Sequence, residues 1–177
     1  MNRAGVGAEG REAVEMWRRG DPGSNNQLIY ADGSCWPTNP GTMGVGIFIR
    51  DGAAQRQYSY SAGPGTSARA ELVALLKAIS IANDGAQVFS DSKYAIGVAA
   101  QGWKAKANLD LVEKLRAALK KKRISLNWVR GHSGNPYHNQ ADRLAREGSA
   151  AGVDYIVDVG HAEIDAGFNS AIARDGA

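Results

Sequence analysis

Four carboxylates stand in four separate local settings: Asp32 in Tyr30-Ala31-Asp32-Gly33-Ser34, Glu71 in Arg69-Ala70-Glu71-Leu72, Asp91 in Phe89-Ser90-Asp91-Ser92, and Asp142 in Asn139-Gln140-Ala141-Asp142-Arg143-Leu144-Ala145. Carboxylates that end strands or open helices can converge on one point in a fold. Once together they repel each other unless divalent cations neutralise them. The quartet is therefore a candidate metal centre, and its hard oxygen ligands suit Mg²⁺ or Mn²⁺. Taken singly, each acid has a plainer reading. Asp32-Gly33 is a turn pair, Asp91-Ser92 a helix cap, Asp142 a dipole partner at a helix start, and Glu71 an exposed helical residue. Their joint placement argues for the metal reading.

The elements that would position them can be read from periodicity. Leu28-Ile29-Tyr30-Ala31 is a buried strand that ends at Asp32-Gly33. Val45 to Arg50 is a second strand, Asp51-Gly52 a hairpin signal, and Gln55 to Ala62 a third, alternating strand. Leu72, Leu75, Leu76 and Ile79 repeat at helical spacing within Ser67 to Ala82, with Ser67 as N-cap. Gln87 to Ser90 is a short buried strand ending at Asp91, and Ser92 to Ala100 is a helix. Leu109 to Lys122 is a helix, Ile124 to Val129 a fifth strand, and Ala141 to Ala150 the last helix. Hairpin-joined strands followed by alternating helix and strand give an α/β fold, a five-stranded mixed β-sheet flanked by α-helices. Asp32 and Asp91 then leave neighbouring strands at the same edge, with Glu71 and Asp142 near helix starts on that side.

At 177 residues the chain fits one catalytic domain, here residues 27–151, between an N-terminal arm (1–26) and a C-terminal tail (152–177). Residues 12–19 could form a short helix before the Gly20-to-Asn26 linker, and Tyr155-Ile156-Val157 could dock as an extra strand. One cysteine, Cys35, excludes an internal disulfide framework and a cysteine-based zinc site. No apolar run is long enough to span a bilayer, and the N-terminus carries no secretory signal, so a cytoplasmic protein is expected. Nothing reads as a dimer seam, so a monomer is expected. Net charge is +3, yet residues 93–123 hold nine Lys and Arg against Asp110 and Glu113, a local +7. A basic stripe beside an acidic cluster suits a polyanion held while a metal centre acts on it, although a lysine run alone is commonly a solvated helix face.

The flanks carry a family resemblance. Asp32-Gly33-Ser34, Asn39-Pro40-Gly41, Arg69-Ala70-Glu71-Leu72, Ser90-Asp91-Ser92-Lys93-Tyr94, Trp128-Val129-Arg130-Gly131-His132-Ser133-Gly134 and Ala141-Asp142-Arg143-Leu144-Ala145 occur in order, and over residues 27–150 the chain resembles type 1 ribonuclease H. The resemblance implies a ribonuclease H-like fold and an endonuclease that cuts the RNA strand of RNA–DNA hybrids. It implies two Mg²⁺ ions on Asp32, Glu71, Asp91 and Asp142, with Mn²⁺ as a substitute, and products bearing 5′-phosphate and 3′-hydroxyl ends. His132, on a glycine-flanked loop, would assist proton transfer or product release. The nucleic-acid contacts it implies are Gly33, Ser34, Asn39, Thr66, Ser67, Arg69, Lys93, Trp103 and Asn108. Asn39 and the segment before Glu71 would read the RNA 2′-hydroxyl, and Thr66 and Asn108 would grip a DNA phosphate. Trp103 would stack on a DNA sugar or lie in the core.

The chain departs from the family pattern in places. Ser67 and Ala68 replace two asparagines, and the loop between Ser34 and Asn39 is a residue longer than usual. His138 replaces an asparagine four residues before Asp142 and is read as structural. The long basic handle is missing, since only Gln101 to Ala107 separates the two helices it would join. Lys104, Lys106 and Lys120 to Arg123 are the candidates to replace its charge, and weaker, more salt-sensitive hybrid binding is expected. A non-catalytic nucleic-acid-binding module on the same fold is the alternative. It gains nothing from clustered negative charge beside phosphates. A recombinase or exonuclease on this fold would not account for the Gly-His-Ser-Gly loop.

Overall fold

A computed structural model describes residues 27–52 and 54–151, so the expected arm, the helix over 12–19, the tail and the strand over 155–157 lie outside the described residues. Five strands form one sheet in the order β3-β2-β1-β4-β5: β1 (Leu28–Trp36), β2 (Gly41–Asp51), β3 (Ala54–Gly65), β4 (Gln87–Ser90) and β5 (Ser125–Trp128). β1, β2 and β3 pair antiparallel, whereas β1–β4 and β4–β5 are parallel. The helices are α1 (Ser67–Ile81), α2 (Lys93–Ala100), α3 (Leu109–Lys121) and α4 (Pro136–Ala151). The five-stranded mixed sheet with flanking helices is thus as expected.

Strand alternation divides the side chains between two faces. Ile29 and Ala31 of β1, with Val45, Ile47 and Ile49 of β2, meet Leu72, Leu75 and Ile79 of α1 in the larger core. Leu28, Tyr30, Phe48 and Phe89 turn to the opposite face, against Ala141 of α4. There Tyr30 stacks on Phe89 with ring centroids 4.6 Å apart, and Tyr137 stacks on Phe48 at 5.1 Å. Glycines let α4 come down onto the strands. A Cβ on Gly44 or Gly46 would collide with the α4 backbone at Ala145 or Ala141, and one on Gly148 would strike the Tyr60 carbonyl.

Several boundaries differ from the expected ones. β1 does not stop at Asp32 but continues to Trp36, because its pairing with β2 runs on to Trp36 opposite Thr42. Thr66, not Ser67, caps α1, its hydroxyl accepting the Arg69 N–H at 3.1 Å. α4 begins at Pro136 rather than Ala141. Proline suits the first helical position, and the Asn135 side chain accepts the N–H groups of Tyr137 and His138 at 3.0 and 3.1 Å, which satisfies donors the helix start leaves open. Asp142 consequently lies in the second turn of a longer helix.

Candidate active site and metal centre

The sheet register sets the first two carboxylates side by side. Tyr30 pairs with Phe89 in the parallel β1–β4 ladder, and two residues further along each chain stand Asp32 and Asp91. A step of two along β1 returns Asp32 to the Tyr30 face, the α4 side, and Asp91, just past the end of β4, brings a carboxylate oxygen to the same place as Asp32 and His138 of α4. Glu71 arrives from the other face. A Cβ on Gly33 would collide with the Ala70–Glu71 backbone, so this glycine admits the first turns of α1 against β1, and its N–H hydrogen-bonds the Glu71 carboxylate. Asp142 comes from α4, where Arg146 one turn later pairs with it at 3.0 Å. Gly131, at the head of the loop after β5, packs against the Asp91 carboxylate where a Cβ would collide.

Asp32 and Glu71 feel the charges of the other acids. Burial pushes the Asp32 carboxyl up to about 7, helped by the Asp91 and Asp142 charges and opposed by His138 and Arg146. Glu71 is pushed well above the ordinary carboxylate range by burial and then by the charges of Asp32, Asp91 and Asp142. The four expected acids are therefore within one electrostatic neighbourhood.

His138 also lies in this neighbourhood, contrary to the structural role read from sequence. It is 2 % exposed, and its Nε2 lies 3.2 Å from Asp91 Oδ2. One donor atom each from Asp32, Asp91 and His138 lie within 4.8 Å of one another. Burial alone would lower the His138 pKa, but the Asp91 hydrogen bond and the charges of Asp32, Asp91 and Asp142 outweigh it and raise the group. Its spacing of four residues from Asp142 would have put both on one helix face, but that signal needs a helix that starts before residue 138.

The donor set suits a divalent cation. Among the described residues the buried side-chain polar atoms without a hydrogen-bond partner are Glu71 Oε2 and His138 Nδ1, and both belong to this cluster. Native proteins rarely leave such atoms unsatisfied, and a cation would satisfy an oxygen that no protein donor reaches.

The remaining expected residues fall into three groups. Asn39 and Ser67 meet on the surface: Asn39 Nδ2 donates to Ser67 Oγ at 2.7 Å, and the Ser67 N–H donates to Asn39 Oδ1 at 3.0 Å. Thr66, Arg69 and Asn108 form a second cluster. Arg69 donates to Asn108 Oδ1 at 3.1 Å and pairs with Asp110 at 2.8 Å. The others are scattered or otherwise engaged. The Ser34 hydroxyl donates to the Ala145 carbonyl at 2.7 Å, tying β1 to α4. Lys93 Nζ sits 4.4 Å from the centroid of the Trp128 ring, whose Nε1–H donates to the Asp91 carbonyl at 2.9 Å. Trp103, 46 % exposed, covers Gly97 of α2, where a Cβ would run into its ring. His132 is exposed and holds a left-handed backbone at φ 52°.

The basic cluster at 120–123 does not face this site as a block. Lys122 donates to the carbonyls of Ile79, Ser80 and Ala82, closing the C-terminal end of α1, and Arg123 pairs with Asp84 at 2.6 Å. Glu71 lies eight to eleven residues earlier on or beside that helix, roughly 12–16 Å away at 1.5 Å per residue. These two charges therefore cannot stand in for a handle beside the carboxylates.

Known proteins share both the sequence and this architecture. A family model described as RNase H matches residues 24–150. A ribonuclease H of Chlorobium chlorochromatii is 35% identical over 135 residues, covering 67% of this chain and 92% of that protein. One from Chlorobium phaeobacteroides is 32% identical over 136 residues, covering 68% and 92%. The N-terminal RNase H domain of a Mycobacterium tuberculosis protein, solved as a maltose-binding-protein fusion, superposes with a TM-score of 0.63 at 26% identity, covering 73% of this chain and 96% of that one. LC11-RNase H1, solved in complex with an RNA/DNA hybrid, shares the fold at a TM-score of 0.57 and 18% identity, covering 69% and 98%. With the match spanning the strands and helices that bring the carboxylates together, this chain belongs to the RNase H family.

Proposed function

We propose that the chain is an endonuclease that hydrolyses the RNA strand of RNA–DNA hybrids with divalent cations held by Asp32, Glu71, Asp91 and Asp142, leaving 5′-phosphate and 3′-hydroxyl ends. The observation that carries this reading is the partly buried carboxylate cluster around Asp32, with an unsatisfied Glu71 oxygen, in a chain of this family. Two Mg²⁺ ions, or Mn²⁺ in their place, would supply activation of the attacking water and charge neutralisation at phosphorus. The protein contributes orientation. The β1–β4 register fixes Asp32 beside Asp91, and the Gly33 contact fixes the approach of Glu71. Asp142 would leave its exposed Arg146 partner to complete the set, at small cost because exposed pairs contribute about 0–1 kcal/mol. His132, exposed on its loop, would take or deliver a proton at the scissile phosphate or help release product.

Substrate choice would rest on two surface clusters. The Asn39–Ser67 pair offers donors and acceptors to a 2′-hydroxyl, and Gly33 and Ser34 would add backbone contacts to the nucleic acid. Thr66, Arg69 and Asn108 would hold a phosphate of the DNA strand, and Trp103 and Lys93 would line its path. The catalytic unit is taken as residues 27–151, acting as a monomer in the cytoplasm.

The test uses end-labelled RNA–DNA hybrid, double-stranded RNA and double-stranded DNA with Mg²⁺. The expected result is cleavage of the RNA strand of the hybrid alone, lost on addition of chelator and reduced at least about 10³-fold in Asp91→Asn. Intact hybrid after prolonged incubation with the wild-type protein would instead favour a binding module.

A further inference from the structure

We infer that His138 is a nitrogen ligand of the cation centre and tilts that centre towards Mn²⁺ over Mg²⁺. The inference rests on the metal-centre reading proposed above and goes beyond its all-carboxylate ligand set. His138 Nε2 lies 3.2 Å from Asp91 Oδ2, and donor atoms of Asp32, Asp91 and His138 fall within a 4.8 Å circle of mutual distances. Ligands about 2.1 Å from an octahedral ion stand roughly 3.0 Å apart when adjacent and roughly 4.2 Å apart when opposite. Three donors spaced in this way can share one ion with only small side-chain movement.

The bland reading is a core histidine that bridges two elements by hydrogen bonds. Such a residue has both ring nitrogens satisfied by protein groups, so an orphan nitrogen marks a partner that the described residues do not supply. His138 is 2 % exposed, yet its Nδ1 has no partner, and its Nε2 points at a carboxylate of the cluster. Its backbone is fixed rather than adaptable. The His138 N–H is bound by the Asn135 side chain, and α4 is seated on β2 through Gly44 and Gly46. A fixed backbone limits where the ring can go, and the Asp91 contact orients it, which is the preorganisation a metal ligand needs.

The selectivity follows from ligand chemistry. Mg²⁺ prefers oxygen donors in a near-ideal octahedron and gains little from imidazole, whereas Mn²⁺ lies further along the affinity order for nitrogen donors while still accepting carboxylates. Replacing His138 by Asn would put an oxygen donor in the imidazole's place.

The test is pulsed electron paramagnetic resonance of the full-length protein loaded with Mn²⁺. The wild type is expected to show ¹⁴N modulation from a coordinated imidazole. The modulation should persist in the His132→Ala/His161→Ala double variant, which leaves His138 as the sole histidine, and vanish in His138→Asn. Calorimetric titrations should show Mn²⁺ affinity falling about tenfold in His138→Asn with Mg²⁺ affinity nearly unchanged. Bound Mn²⁺ without imidazole modulation in the wild type would overturn the inference and reduce His138 to a holder of Asp91, leaving the metal centre intact. Failure of the wild type to bind Mn²⁺ at all would overturn both. The wild-type spectrum decides even if the Asn variant folds poorly.

Discussion

Asp32 concentrates the energetics of the site in one side chain. It is 5 % exposed, stands over aromatic rings and faces other carboxylates, so its charged form is costly and its carboxyl titrates at about 7. Because the folded value is raised, the native state holds a proton that the unfolded chain has already lost. The associated stability is present below about pH 4 and disappears as pH rises through about 7. Without divalent cations the protein should therefore melt at a higher temperature near pH 5.5 than near pH 8.5. Asp32→Asn should recover stability at pH 8.5 on the order of 2–4 kcal/mol, by thermal or urea unfolding. Added Mg²⁺ should raise the melting temperature of the wild type at pH 8.5 more than that of Asp32→Asn, and its apparent affinity should weaken as pH falls below 7. The acids themselves were legible in the sequence, each by its flank. His138 was not, because a residue ahead of the expected helix start had no assigned face. Sequence patterning ends the strand at Asp32, whereas the chain there loses β4 as a neighbour but keeps β2.

Elements meet closely here because glycines allow it. At Gly46 a Cβ would collide with the Ala141 carbonyl and crowd Ala145, so α4 would have to lift off β2. Gly46→Ala should cost on the order of 2–4 kcal/mol in urea unfolding, and it should impair hydrolysis as well, since α4 carries Asp142 and His138. Lys122 provides a contrast. Its ammonium binds the last carbonyls of α1, so Lys122→Ala should cost roughly 1–2 kcal/mol while leaving hybrid affinity and turnover near wild type. Helical periodicity made α1 and α3 readable to within a residue or two. The first turn of α4 was hidden because Gly-Asn-Pro reads as loop, and the capping by Asn135 depends on side-chain geometry that spacing alone does not disclose. The glycine contacts were equally invisible, since nothing local says which strand faces which helix.

At the scale of the molecule, the basic stripe over 93–123 breaks into parts with different duties. Arg116 donates to the Val98 and Trp103 carbonyls, Lys122 caps α1, and Arg123 pairs with Asp84. Exposed Lys104 and Lys106, on the short link between α2 and α3, remain the natural contacts for a polyanion. Lys104→Ala/Lys106→Ala should weaken hybrid binding and reduce the slope of log affinity against log salt by up to about two, measured by fluorescence anisotropy across a salt series. An unchanged slope would place the phosphates elsewhere. Net charge was readable from sequence, but its division between structural ion pairs and free surface required the fold. Everything proposed for this fold depends on four acids, distant along the chain, holding divalent cations together. Anomalous diffraction from a crystal soaked in Mn²⁺ tests it most directly. Manganese peaks are expected within coordination distance of Asp32, Glu71, Asp91 and Asp142, and their absence from that cluster in an otherwise well-ordered soaked crystal would show that these acids do not form a metal centre.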